Sequence, residues 1–130
     1  LEQGVDLVWQ AFEDMVGGEI YVKKIPSMVI GDIANAVRPG APQKVIGIRP
    51  GEKLHEQMIG EEDAAHTYEY EDYYKIIPAI HNWSSDPVRI KGGQKVPDGF
   101  NYSSDNNKEW MKPEELTNWI EANSAKIGRF

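Results

Sequence analysis

The sequence predicts an α/β fold of α+β-like character, and three observations point there. Val5, Val8, Phe12 and Met15 recur at three- and four-residue steps, the single apolar stripe of an amphipathic helix. Two β-type runs, Glu19–Lys23 and Lys44–Ile46, are separated by a helical pattern through Val37. Strands alternating with crossover helices are the signature of an α/β layer. Finally, Pro50-Gly51 follows the second run as a strong turn dipeptide.

Taken in order, the first helix stops at Gly17-Gly18, a C-terminal cap. The chain opens on Leu1 with the apolar face already complete, so it reads as cut from something longer. Leu7 and Trp9 lie off the stripe; they either cover a neighbouring domain or widen the buried face. Residues Ile25–Ile30 read as a loop with a short extended piece, because proline biases the preceding residue away from helix. Gly31-Asp32 opens the second helix, with an acid near its positive end. Lys44–Ile46 reads as a buried strand, and Glu52 to Ile59 as a short helix carrying Leu54, Met58 and Ile59.

Beyond residue 60 the pattern is less regular. Glu61–Asp63 start a short helix, and Thr67–Tyr70 and Tyr73–Ile77 form two β segments. The tyrosines in them pack, in preference to forming a stacking platform for a base or sugar. Residues 81–105 look like long loops with Trp83, Gly92-Gly93, Pro97 and Gly99. Asp105–Asn107 supply capping and turn chemistry. Pro113 begins a closing helix with Leu116, Trp119 and Ile120 on one stripe. The expected organisation is one domain over 1–130, with a core in 1–80 and a loop-rich part plus closing helix in 81–130.

Composition narrows the function classes. The 130 residues are 40% hydrophobic and 27% charged, as in a globular domain and unlike a disordered one. A net charge of −7 without a basic stripe argues against nucleic acid and anionic membranes as partners. No apolar run approaches the roughly 20 residues needed to span a bilayer. The first residues lack the basic and apolar regions of a signal peptide. The absence of cysteine excludes disulfides and thiol chemistry and fits a cytoplasmic setting. His55, His66 and His81 lack metal-ligand spacing, and the acidic clusters lack a calcium-loop pattern. No Walker loop, Gly-x-Ser-x-Gly or Gly-x-Gly-x-x-Gly occurs.

The candidate site is the turn itself. Arg49 offers a planar fork of donors suited to phosphate oxygens, and Glu52 is an acceptor suited to sugar hydroxyls. A structural Arg–Glu pair fixing the turn is the competing reading, since paired charges are often only structural.

The strings Gly17-Gly18-Glu19-Ile20-Tyr21-Val22, Lys24-Ile25-Pro26-Ser27-Met28 and Gly47-Ile48-Arg49-Pro50-Gly51-Glu52-Lys53-Leu54-His55-Glu56 closely resemble the bacterial UDP-N-acetylglucosamine 4,6-dehydratases. These belong to the extended short-chain dehydrogenase/reductase superfamily. Tyr102–Asn107, Trp110 and Glu114-Glu115-Leu116 extend the resemblance along nearly the whole chain. It implies the C-terminal, substrate-binding portion of a Rossmann-type enzyme, with the main nucleotide-binding sheet missing. It also implies that Arg49 contacts the diphosphate of a UDP-sugar, Glu52 its ribose, and Ile30 the nucleotide through an apolar contact. NADP would be held mainly by an N-terminal Rossmann domain, the chain's implied partner, and the full-length protein would be a homo-oligomer. The implied reaction oxidises C4 of the sugar, eliminates water across C5–C6 and returns the hydride to C6. Neither a glycine-rich dinucleotide loop nor Tyr-x-x-x-Lys lies within 1–130, so no catalytic residue is expected here. Gly31 stands where a hydroxyl or acidic cap is commoner. A non-catalytic nucleotide-sugar or protein interaction module, or part of a related UDP-sugar epimerase, are the alternatives.

Overall fold

The structure, a computed structural model, describes residues 2–80 and 83–127. Its elements run α1 (Glu2–Asp14), β1 (Ile20–Lys23), α2 (Ile30–Val37), β2 (Gln57–Ile59), a 3₁₀ segment (Glu61–His66), β3 (Thr67–Glu69) and β4 (Tyr73–Ile76). They continue through a 3₁₀ turn (Trp83–Ser85), α3 (Pro87–Ile90), β5 (Gln94–Lys95), β6 (Tyr102–Ser103) and α4 (Pro113–Ile127). The chain forms two compact units, Leu1–Lys24 with Gln57–Ser103, and Ile25–Glu56 with Ser104–Phe130.

In the first unit a four-stranded sheet has the order β1-β4-β3-β5, and every pairing is antiparallel. Mixed helix and strand are present as expected, but β1 pairs with the distant β4 rather than with a strand across a crossover helix. Tyr70 N–H closes the tight β3–β4 turn on the Tyr73 carbonyl at 3.0 Å. β2 pairs with β6 through an irregular register. Val22, Ile59, Ala64, Tyr74, Val96 and Tyr102 form the core, with Ile76 and Phe100 against it. The Tyr74 ring centroid lies 5.2 Å from both Phe100 and Tyr102. Tyr70 and Tyr73 stack at 4.5 Å, so the tyrosines pack.

Two ionic clusters join this sheet to its flanking segments. Lys75, 1% exposed, donates to Asp14 Oδ2 at 2.6 Å, and its ammonium lies 4.9 Å from the Tyr70 ring centre. Tyr21 donates to the same carboxylate at 2.6 Å, and Lys91 reaches Oδ1 at 2.9 Å. Burial alone would raise the Asp14 carboxyl. The three hydrogen-bond donors outweigh it and hold the group at about 2. Burial, then Asp14 itself, pushes the Tyr21 phenol upward. Arg89 pairs with the buried Glu19, donates to the Gly17 carbonyl at 2.8 Å and covers the Trp83 ring at 3.9 Å.

α1 forms where its periodicity predicts and ends before Gly17-Gly18. Its expected buried stripe is exposed: Val5, Val8, Phe12 and Met15 all face solvent, as does Trp9 at 64%. The half-covered positions are Leu7, Gln10, Ala11 and Asp14. The Asp14 bonds to Tyr21, Lys75 and Lys91 turn this other face toward the sheet.

In the second unit α2 begins at Ile30, one residue before the expected Gly31, and Val29 supplies no side-chain cap. Ser27 bridges Trp110 in parallel, with Ser27 N–H on the Glu109 carbonyl and Met111 N–H on Ser27, both at 2.9 Å. Asn107 Oδ1 accepts Glu109 N–H at 3.1 Å, the local turn chemistry expected of residues 105–107, and its amide donates to the Ile25 carbonyl at 2.7 Å. α4 starts at Pro113 as predicted, Glu115 accepts Lys112 N–H at 2.8 Å, and Leu116 is buried.

Two expectations for residues 44–59 fail. Lys44–Ile46 is not a buried strand: it has no strand partner among the described residues, and Val45 is 94% exposed. Glu52–Ile59 is not a helix, because its end becomes β2 and Leu54 remains exposed. A helix this short nucleates poorly, and pairing with β6 buries Ile59 instead. The 81–105 region is also less loop-like than expected, carrying α3 with its Asp86 cap, β5 and β6.

Candidate functional site

The turn expected at Pro50-Gly51 forms. Glu52 N–H donates to the Arg49 carbonyl at 3.0 Å, and Gly51 has φ +88°. Proline at the second position and a positive-φ glycine at the third are the pattern of a type II turn. The Glu52 side chain folds back over it. Its Oε2 accepts the Arg49 backbone N–H at 2.8 Å, and its Oε1 accepts Arg49 Nε at 2.7 Å. One carboxylate thus fixes both the backbone and the guanidinium of the same arginine. The Arg49 side chain is 76% exposed, and no partner holds Nη1 or Nη2 among the described residues.

Charge is divided unevenly along the chain. The first unit carries thirteen acids against six bases, which accounts for the whole net charge of −7. The unit that contains the turn has eight of each. An anion approaching Arg49 therefore meets no net repulsion from the arginine's own unit. An exposed guanidinium edge can bind a phosphate, while the fixed carboxylate beside it can accept from a hydroxyl.

Arg49 and Glu52 are brought together; Ile30 sits on a separate element. It is the first residue of α2 and is 78% exposed, an open apolar surface. A Cβ at Gly31 would meet nothing within 4 Å. What the sequence reasoning missed is a cavity of about 280 Å³ lined by Met28, Ile33, Val37, Met111, Leu116, Trp119 and Ile120. Its signal was present in the stripe of α4 and in the four-residue step from Ile33 to Val37. Every lining side chain is apolar, so the cavity offers no group to orient a polar ligand.

Of the histidines, His55 is exposed and His66 closes the 3₁₀ segment, while His81 lies outside the described residues. Among the described residues no group of three or more histidines, aspartates or glutamates is placed to hold a metal ion. No described helix is long and apolar enough to cross a membrane.

Comparison with known proteins places this geometry in context. A UDP-N-acetylglucosamine 4,6-dehydratase (inverting) of Campylobacter jejuni is 52% identical over 122 residues, covering 89% of this chain and 36% of that protein. A UDP-glucose 4-epimerase of Rickettsia canadensis is 33% identical, covering 83% of this chain and 33% of its own length. The X-ray structure of Pen from Bacillus thuringiensis shares the fold, with a TM-score of 0.70 at 22% identity over 94% of this chain and 35% of that one. The chain thus spans about a third of the length of these relatives. The mixed helix-and-strand architecture is accordingly that of a portion of an extended short-chain dehydrogenase/reductase. Residues 1–78 match the family model described as polysaccharide biosynthesis protein, and the chain belongs to that family.

Proposed function

We propose that this chain is the UDP-sugar-binding portion of a UDP-N-acetylglucosamine 4,6-dehydratase that works in the cytoplasm on bacterial surface-glycan precursors. The observation that carries the reading is the Arg49–Glu52 turn, an exposed guanidinium held by a neighbouring carboxylate. The 52% identity to a protein bearing that name supports it. Arg49 binds the diphosphate, Glu52 accepts from the ribose, and Ile30 lies against the nucleotide. The reaction of the whole protein oxidises C4, removes water across C5–C6 and returns the hydride to C6.

The hydride carrier in this reading is NADP. Residues 1–130 contain no glycine-rich dinucleotide loop and no Tyr-x-x-x-Lys, so they do not fit a nicotinamide cofactor. It would be held by a Rossmann domain outside these positions. The exposed apolar face of α1, with Val8, Trp9 and Phe12, is the kind of surface such a domain covers. A homo-oligomer is the expected state of the full-length protein.

The test is Arg49→Ala in the full-length protein. Hydrogen bonds to charged groups contribute about 1.5–3 kcal/mol, so UDP affinity is expected to fall tenfold or more, with NADP affinity unchanged. Equal UDP affinity in variant and parent removes the assigned role. The 33% identity to a UDP-glucose 4-epimerase favours a second reading, part of a UDP-sugar epimerase. A 4-keto-6-deoxy product supports the dehydratase; recovery of only the C4 epimer supports the epimerase.

A further inference from the structure

We infer that Glu52 is a positioning residue for Arg49, and that it restricts anion recognition to the Nη1/Nη2 edge of the guanidinium; this rests on the diphosphate-binding reading above. A guanidinium can meet a phosphate side-on through Nε and one Nη, or end-on through both Nη groups. Here Nε is already donated to Glu52 Oε1 at 2.7 Å. The side-on fork is occupied from within the chain, and the end-on edge is what the solvent side presents. The other oxygen, Oε2, takes the Arg49 backbone N–H at 2.8 Å, so neither carboxylate oxygen is idle before a ligand arrives. The Glu52 N–H to Arg49 carbonyl bond and the positive φ of Gly51 hold the two residues at this separation. Glu52 therefore acts on the ligand through Arg49, in addition to any lone pair it offers to a hydroxyl.

The pair is solvent-exposed, with side chains 76% and 42% accessible, so its effect is small. Exposed ion pairs support a change of about threefold. The experiment is a double-mutant cycle in the full-length protein, with UDP and uridine as separate probes in calorimetry. Glu52→Gln is expected to weaken UDP about threefold more than it weakens uridine, because the ribose contact is common to both probes and the Arg49 contact is not. In the Arg49→Ala background the same change is expected to weaken UDP no more than it weakens uridine, because the part that acts through Arg49 is gone. A nuclear magnetic resonance spectrum gives a direct signature: the Arg49 Nε–H signal is protected from exchange in the parent and loses protection in Glu52→Ala. Equal weakening of uridine and UDP, or additive losses in the cycle, would mean that Glu52 acts on the ribose alone and would overturn the inference. An Arg49→Ala variant with unchanged UDP affinity overturns the functional reading instead, whatever Glu52 does.

Discussion

Lys75 and Asp14, separated by 61 positions in sequence, meet at 2.6 Å with the lysine side chain only 1% exposed. β4 thereby grips the C-terminal end of α1, and Tyr21 and Lys91 complete the carboxylate's partners. The helix is held by its polar end while its apolar stripe faces outward.

Removing the carboxylate leaves a buried ammonium with aromatic neighbours and no counter-charge. Breaking a buried pair in this way costs about 3–5 kcal/mol. Asp14→Asn should therefore lower the urea midpoint strongly, whereas Asp14→Asn combined with Lys75→Met should recover most of the loss. A single variant as stable as the parent would show that the pair contributes nothing.

The same carboxylate makes stability depend on acid. Asp14 is held at about 2 in the folded chain against its usual 3.8, so the unfolded state binds the proton more readily. The stabilisation is complete above the unfolded value and is lost as pH falls from near 4 toward 2. At about 1.4 kcal/mol per pKa unit the effect is roughly 2 kcal/mol. Urea titrations between pH 5 and pH 2 should show this loss, and Asp14→Asn should flatten it.

Ile59 and Val45 test the corrected register of the middle of the chain. Ile59 is 1% exposed and Val45 is 94% exposed. Ile59→Ala should cost about 2–5 kcal/mol, and Val45→Ser should stay within about 0.5 kcal/mol. Equal costs in thermal unfolding would restore the buried-strand reading of Lys44–Ile46.

Gly51 carries the turn at φ +88°. No atom crowds a Cβ there, so the cost of Gly51→Ala is backbone strain alone, about 1 kcal/mol. Because the strain falls between Arg49 and Glu52, UDP affinity should drop along with stability. Unchanged UDP affinity would separate the turn from the site.

The sequence by itself determined the elements whose signals are local. The α1 periodicity stops at Gly17-Gly18, Pro113 opens α4, and Pro50-Gly51 makes a turn that places Glu52 on Arg49. In each case the cause lies within one helical turn or one hydrogen bond of the residue concerned. The structure alone decided where apolar residues go. Val5, Val8 and Phe12 have a perfect helical stripe and remain exposed, because the contacts of Asp14 with β1, β4 and the end of α3 turn the opposite face inward. Lys44–Ile46 has a strand's composition without a strand's partner, and Gln57–Ile59 becomes a strand because Tyr102–Ser103 supplies one. A strand needs a hydrogen-bonding neighbour from elsewhere in the chain, and no window of sequence shows which neighbour will arrive.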